Sequence, residues 1–147
     1  GIRVRIRGLD FRRVLFRSNV SNKKMIDITS LVTVAAENIY ANVGPGFEIQ
    51  IYQRAMGLEL DALKIPFSRD LWIDLVYRQQ RIGHKRVDFV IADLMVLVRA
   101  QSGLDIQDEI QASTYLRNTG CKAVLLVNFG ANQFEFRHIQ PSAYSNY

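Results

Sequence analysis

The stretch that decides the fold is RVDFVIADLMVLVRAQ, Arg86 to Gln101. Two apolar runs rich in β-branched residues, RVDFVI and LMVLVRA, meet at Ala92-Asp93, which predicts a tight hairpin. A carboxylate, Asp88, is set into its first strand. A charge inside an apolar strand needs a partner or a function, so Asp88 is the first candidate site residue.

Upstream, LWIDLVY (Leu71–Tyr77) reads as another strand, with RQQRIGHK as its polar return. Before it, Ile65-Pro66 closes a helix expected from about Phe47 to Lys64. On that helix Gln50, Gln53, Arg54, Asp61 and Lys64 fall on one polar side at 100° per residue, and Glu48 and Glu59 fall in the covered arc. An earlier helix is marked by Ile28, Leu31, Val32, Ala35, Ala36, Ile39 and Val43. Asp27 is placed to cap it, and Gly44-Pro45-Gly46 ends it. Downstream, Ser102-Gly103 breaks the sheet and Asp105 to Asn118 reads as a third helix, stopped by Gly120. KAVLLVNF (Lys122–Phe129) has the unbroken apolarity of a strand buried on both faces, and FEFRHI (Phe134–Ile139) reads as an edge strand. The order α-α-β-β-β-α-β-β predicts an α/β domain, a mixed sheet flanked by helices.

At 147 residues the chain is long enough for one domain with a real core. Its single cysteine, Cys121, forms no internal disulfide and suits a reducing compartment, so a cytoplasmic location is expected. No apolar run approaches the roughly 18 residues of a membrane span, and no membrane partner is expected. The net charge of +5 is local: residues 1–18 hold six of the nineteen basic residues and one of the fourteen acidic ones. The remainder is electrically balanced, which weakens non-specific nucleic-acid binding by phosphate neutralisation. Within the basic segment, FRRVLFRS (Phe11–Ser18) resembles one reading frame of a common sequencing-library adapter. Residues 1–24 are therefore expected to be a disordered basic segment, partly a translated artefact, and 25–147 the domain, with a natural start near Ser21 or Met25.

The motifs GPG (Gly44–Gly46), Tyr52, RVD (Arg86–Asp88), Gln111 with Tyr115-Leu116, and LLVNFG (Leu125–Gly130) stand in an order and spacing that resembles the GxxExxR proteins, a branch of the PD-(D/E)XK nuclease superfamily. The resemblance covers about four-fifths of the chain. It implies a restriction-endonuclease-like core and divalent-metal-dependent phosphodiester hydrolysis, with Mg²⁺ or Mn²⁺ held by carboxylates and water. Carried over by position, Asp88 takes the place of the metal-binding aspartate, and Gln111 and Tyr115 take the helix positions, one turn apart on one face. The Glu-x-Lys that follows in the superfamily falls on Val98-Arg99-Ala100, and both chemical groups are missing. The branch's glutamate three residues after Gly46 falls on Ile49, and its neighbour Glu48 is the candidate to replace it as a second metal ligand. Arg99 alternates to the opposite face from Val98 and Ala100.

Each residue also has a structural reading. Asp88 can pair with Arg86 or accept backbone hydrogen bonds, and Glu48 can favour the start of its helix through the dipole. Gln111 and Tyr115 can join helix to sheet, and Glu59 can pair at the core's rim. His84 and His138 lack the cluster a zinc site needs, Cys121 reads as a small buried hydrophobe, and GPG is a turn, not a phosphate cradle. Two functions follow: a metal-dependent nuclease acting through Asp88, Glu48, Gln111 and Tyr115, or a catalytically inactive binding or scaffold domain. The nuclease acts on nucleic acid; the inactive domain acts through a protein partner or self-association.

Overall fold

The computed structural model describes residues 3–7 and 22–141, with side chains from Asp27 to Pro141. Six strands form one sheet in sequence order, β1 (Arg3–Arg7), β2 (Phe67–Tyr77), β3 (Gln80–Ile91), β4 (Leu94–Arg99), β5 (Ala123–Asn128) and β6 (Glu135–Ile139). Only β4 and β5 run parallel. Parallel neighbours need a crossover, here α3 (Ile106–Thr119), while α1 (Asn22–Val43) and α2 (Ile49–Leu63) precede β2. The mixed sheet with flanking helices is the α/β architecture expected from the pattern of periods.

Two cores lie on the two faces. Val32, Ala36 and Ile39 of α1 and Tyr52, Met56 and Leu60 of α2 pack on Phe89, Val96, Val98, Leu125 and Val127. On the other face Ala112, Tyr115 and Leu116 of α3 pack on Leu71, Val87, Met95, Leu97 and Leu126. β4 and β5 are therefore covered on both sides, which is why their sequences are continuously apolar.

Several boundaries move, each for a local reason. Only the first two residues of the RQQRIGHK stretch are a return loop; from Gln80 it is the first half of β3, paired with β2 back to Tyr77↔Gln80. Its exposed side chains erase the alternation that would have announced a strand. The true loop is Arg78-Gln79, and Ala92-Asp93 closes the next hairpin; all four residues have positive φ, as a two-residue turn between twisted strands requires. Asp27 is not a cap, because α1 begins at Asn22. Arg3–Arg7 pair antiparallel with β2 and α1 begins at Asn22; residues 8–21, the adapter-like FRRVLFRS among them, lie outside the described residues, and with them the expectation about that segment. Cys121 is buried, and that burial pushes its thiol up to about 12.

Two of the motifs serve the fold. Tyr52 is fully buried, stacked on Phe129 at 4.7 Å, and its hydroxyl donates to the Gly44 carbonyl (2.7 Å) and accepts from the Phe47 N–H (3.2 Å). It thus ties the turn after α1 to the core. In the LLVNFG motif, Asn128 accepts from the Gln101 N–H and donates to the Gln101 carbonyl, both at 2.9 Å. A Cβ on Gly130 would sit 2.4 Å from the Gln101 nitrogen. Asn128 and Gly130 together hold the chain where it leaves β4.

Candidate nucleic-acid interface

β3 and β4 pair only over Phe89–Ile91 and Leu94–Val96, then separate. Beyond that point the Val98 N–H faces a gap instead of a ladder carbonyl, and a buried N–H without an acceptor is costly. Asp88 fills the gap. Its Oδ2 accepts from the Val98 N–H at 2.8 Å, and its Oδ1 accepts from the Gln53 amide at 2.6 Å. The Arg86 guanidinium lies 3.5 Å from Oδ1 and is also paired with Asp70. Asp88 is 3% exposed. Burial raises its carboxyl above the usual range, and the Val98 N–H, Gln53, Arg86 and Arg99 pull it back without cancelling that effect.

The separation of the strands opens a notch reached from both faces of the sheet. A cavity of about 460 Å³ occupies it, lined by Ile49 and Gln53 from α2, Lys85, Arg86 and Asp88 from β3, Val98, Arg99 and Gln101 at the end of β4, and Asp108, Gln111 and Tyr115 from α3. On the α3 side, Arg99 donates to the Gln111 Oε1 at 3.1 Å. With its oxygen engaged, Gln111 keeps its NH₂ donors for another acceptor. Burial, only partly offset by Arg99, pushes the Tyr115 phenol up to about 12, so it is a hydroxyl donor at any ordinary pH. Asp108 accepts from the Gln101 side chain (2.8 Å) and from the Asp105 N–H (2.9 Å) as part of the capping box of α3.

The structure thus brings Asp88, Gln111 and Tyr115 into one cavity, as the sequence expects, and keeps Arg99 on the α3 side. It does not bring Glu48 there. Glu48 is exposed and extended (φ −69°, ψ 153°) just before the first turn of α2. The helical-wheel step that placed it on the covered side does not apply to a residue outside the helix. Its neighbour Ile49 does line the cavity. Gln53 is the opposite error: it was placed on the solvent side of α2 and is buried on Asp88.

A divalent metal would need hard oxygen ligands, typically one or two carboxylates completed by waters. Here the two carboxylates, Asp88 and Asp108, are committed to protein donors. Three cations, Lys85, Arg86 and Arg99, share the lining with them. Among the described residues no three His, Cys, Asp or Glu side chains are grouped to hold a metal. The donor set does not fit Mg²⁺ or Mn²⁺; it suits an anion with several acceptor oxygens.

A divided strand pair with an aspartate at the fork, flanked by helices on a mixed sheet, defines an α/β domain of the restriction-endonuclease-like class. The PD-(D/E)XK nuclease superfamily model matches residues 26–139, and the chain belongs to that superfamily, whose nucleases generally use divalent metals. The comparisons with curated proteins and with solved structures gave no match. No helix among the described residues is long and apolar enough to cross a membrane.

Proposed function

We propose that this domain is a catalytically inactive member of the superfamily that holds the phosphodiester backbone of nucleic acid in its cavity without cutting it. One observation carries the reading. Lys85, Arg86 and Arg99 surround the notch, while on the family resemblance Val98, Ala100 and Ile49 take the positions of a Glu, a Lys and a second Glu. Arg99, the Gln111 amide and the Tyr115 hydroxyl offer one phosphate a fork of donors, and Lys85 and Arg86 offer positive charge from the opposite strand. Asp88 acts as the buttress of the notch, not as a ligand. The balanced charge of the chain outside residues 1–18 does not oppose this, because a phosphate responds to local charge within about 8 Å at physiological salt.

The test pairs binding with cleavage. Labelled oligonucleotides titrated in EDTA should bind, weaken with salt, and lose affinity in Arg99→Ala. The arginines of the first 18 residues are present in both proteins compared. Calorimetric titration of Mn²⁺ or Mg²⁺ should give no heat, and incubation with either metal should leave DNA and RNA intact. Metal-dependent cleavage that disappears in Asp88→Ala would refute the proposal.

A further inference from the structure

Next to the notch, the long β2–β3 hairpin carries an exposed aromatic ring and a series of cations, two of which, Lys85 and Arg86, also line the cavity. Between Phe67 and Val87 it has five cations (Arg69, Arg78, Arg81, Lys85 and Arg86) against two carboxylates, Asp70 and Asp74. Leu71 and Ile73 turn into the core beneath α3. The alternate position between them, Trp72, turns to the other side and is 37% exposed. Its cross-strand partner is Arg86, and His84 meets its ring edge to face at 4.9 Å. Directly opposed side chains lie about 5 Å apart. Trp72 is therefore one side chain removed from the cavity, joined to it through the arginine that contacts Asp88.

An exposed tryptophan in T-shaped contact with an imidazole, with Arg86 directly across on the adjacent strand, is a surface on which a flat ring can stack while its phosphate is neutralised. We propose that this face of the hairpin is a stacking platform for an unpaired nucleobase, so that the domain takes single-stranded nucleic acid, with one base on Trp72 and the adjoining phosphate in the notch. The inference rests on the proposed phosphate site and adds the strandedness of the ligand. A base inside a duplex has no free face to offer Trp72, whereas every unpaired base has one.

Trp72 is the chain's only tryptophan, so its fluorescence reports the contact directly. The full chain is titrated with a labelled oligo-dT, with the same length carrying abasic sites, and with a duplex, reading label anisotropy and tryptophan emission together. Oligo-dT should bind with quenching. The abasic strand and the duplex should bind more weakly and leave the emission unchanged. Trp72→Leu should weaken oligo-dT binding by about 5- to 100-fold and leave the abasic strand unaffected, while Trp72→Phe restores most of the loss; melting curves of both variants confirm their fold. Binding that depends on Arg99 but neither quenches Trp72 nor responds to Trp72→Leu would overturn the platform and leave the phosphate site standing. No binding by any strand would overturn both.

Discussion

Replacing Asp88 by alanine and by asparagine separates a structural carboxylate from a metal ligand without any activity assay. In the alanine variant the Val98 N–H and the Gln53 amide both lose an acceptor in surroundings that are 0% and 9% exposed. Each unsatisfied donor costs about 1–3 kcal/mol. Water entering from the cavity and the removal of a buried charge offset part of that, leaving a net loss of about 2–3 kcal/mol. Asparagine keeps an oxygen for Val98, and Gln53 can turn its amide to present oxygen to the new NH₂, so the loss should stay within about 1 kcal/mol. At about 4 °C per kcal/mol for a domain of this size, Asp88→Ala should melt about 10 °C below the wild type, and Asp88→Asn within a few degrees of it. The assay is urea and thermal unfolding in EDTA. A carboxylate kept for a metal gives the opposite result, because without the metal it is a buried charge whose removal stabilises. An alanine variant as stable as the wild type in EDTA would refute the structural account of Asp88.

The same carboxyl sets a pH dependence. Its folded pKa is raised, so its contribution is fully present below the unfolded value near 3.8 and is lost as pH rises through the folded value. The wild type should therefore gain on Asp88→Asn as pH falls from 7 toward 4 in urea melts; a constant difference would contradict the burial argument. Ile49→Glu/Val98→Glu/Ala100→Lys should fold less stably in EDTA, since Val98 is fully buried. Mn²⁺ should restore stability and produce nicking of plasmid DNA, both lost on adding Asp88→Ala. Tyr52→Phe should cost about 1–3 kcal/mol in chemical denaturation, because the Gly44 carbonyl and the Phe47 N–H lose their shared hydroxyl.

The layers of the fold were legible because each element carries one clear period: 3.6 in the first helix, two-sided apolarity in β4 and β5. β3 was half legible. Its core half, Val87–Ile91, is buried, while its outer half, Gln80–Arg86, is held by main-chain bonds to β2 and leaves no pattern in the side chains. Of the cavity lining, Asp88 stood out as a charge in an apolar strand, and Gln111 and Tyr115 entered through the family resemblance. Gln53 did neither, because a helical wheel records which residues share a side and not whether that side meets solvent or a polar notch. Glu48 failed for a related reason: its angle was measured from a helix that starts one residue later.

The survival of Asp88 beside Val98 and Ala100 is poor evidence for surviving chemistry. The three positions differ in what their removal costs the fold. A glutamate or lysine projecting from the end of β4 into the notch has nothing in the described fold that depends on it, and valine at 98 packs instead against α1 and α2. The aspartate stands where β3 and β4 part, and among the described residues it is the acceptor that the Val98 N–H and the Gln53 amide share. A chain released from catalysis can lose the first two without losing stability and cannot lose the third. In the proposed reading, the motif residue that looks most catalytic is the one the backbone needs. In the same reading the cations that line the notch with it, Lys85, Arg86 and Arg99, make it an anion site.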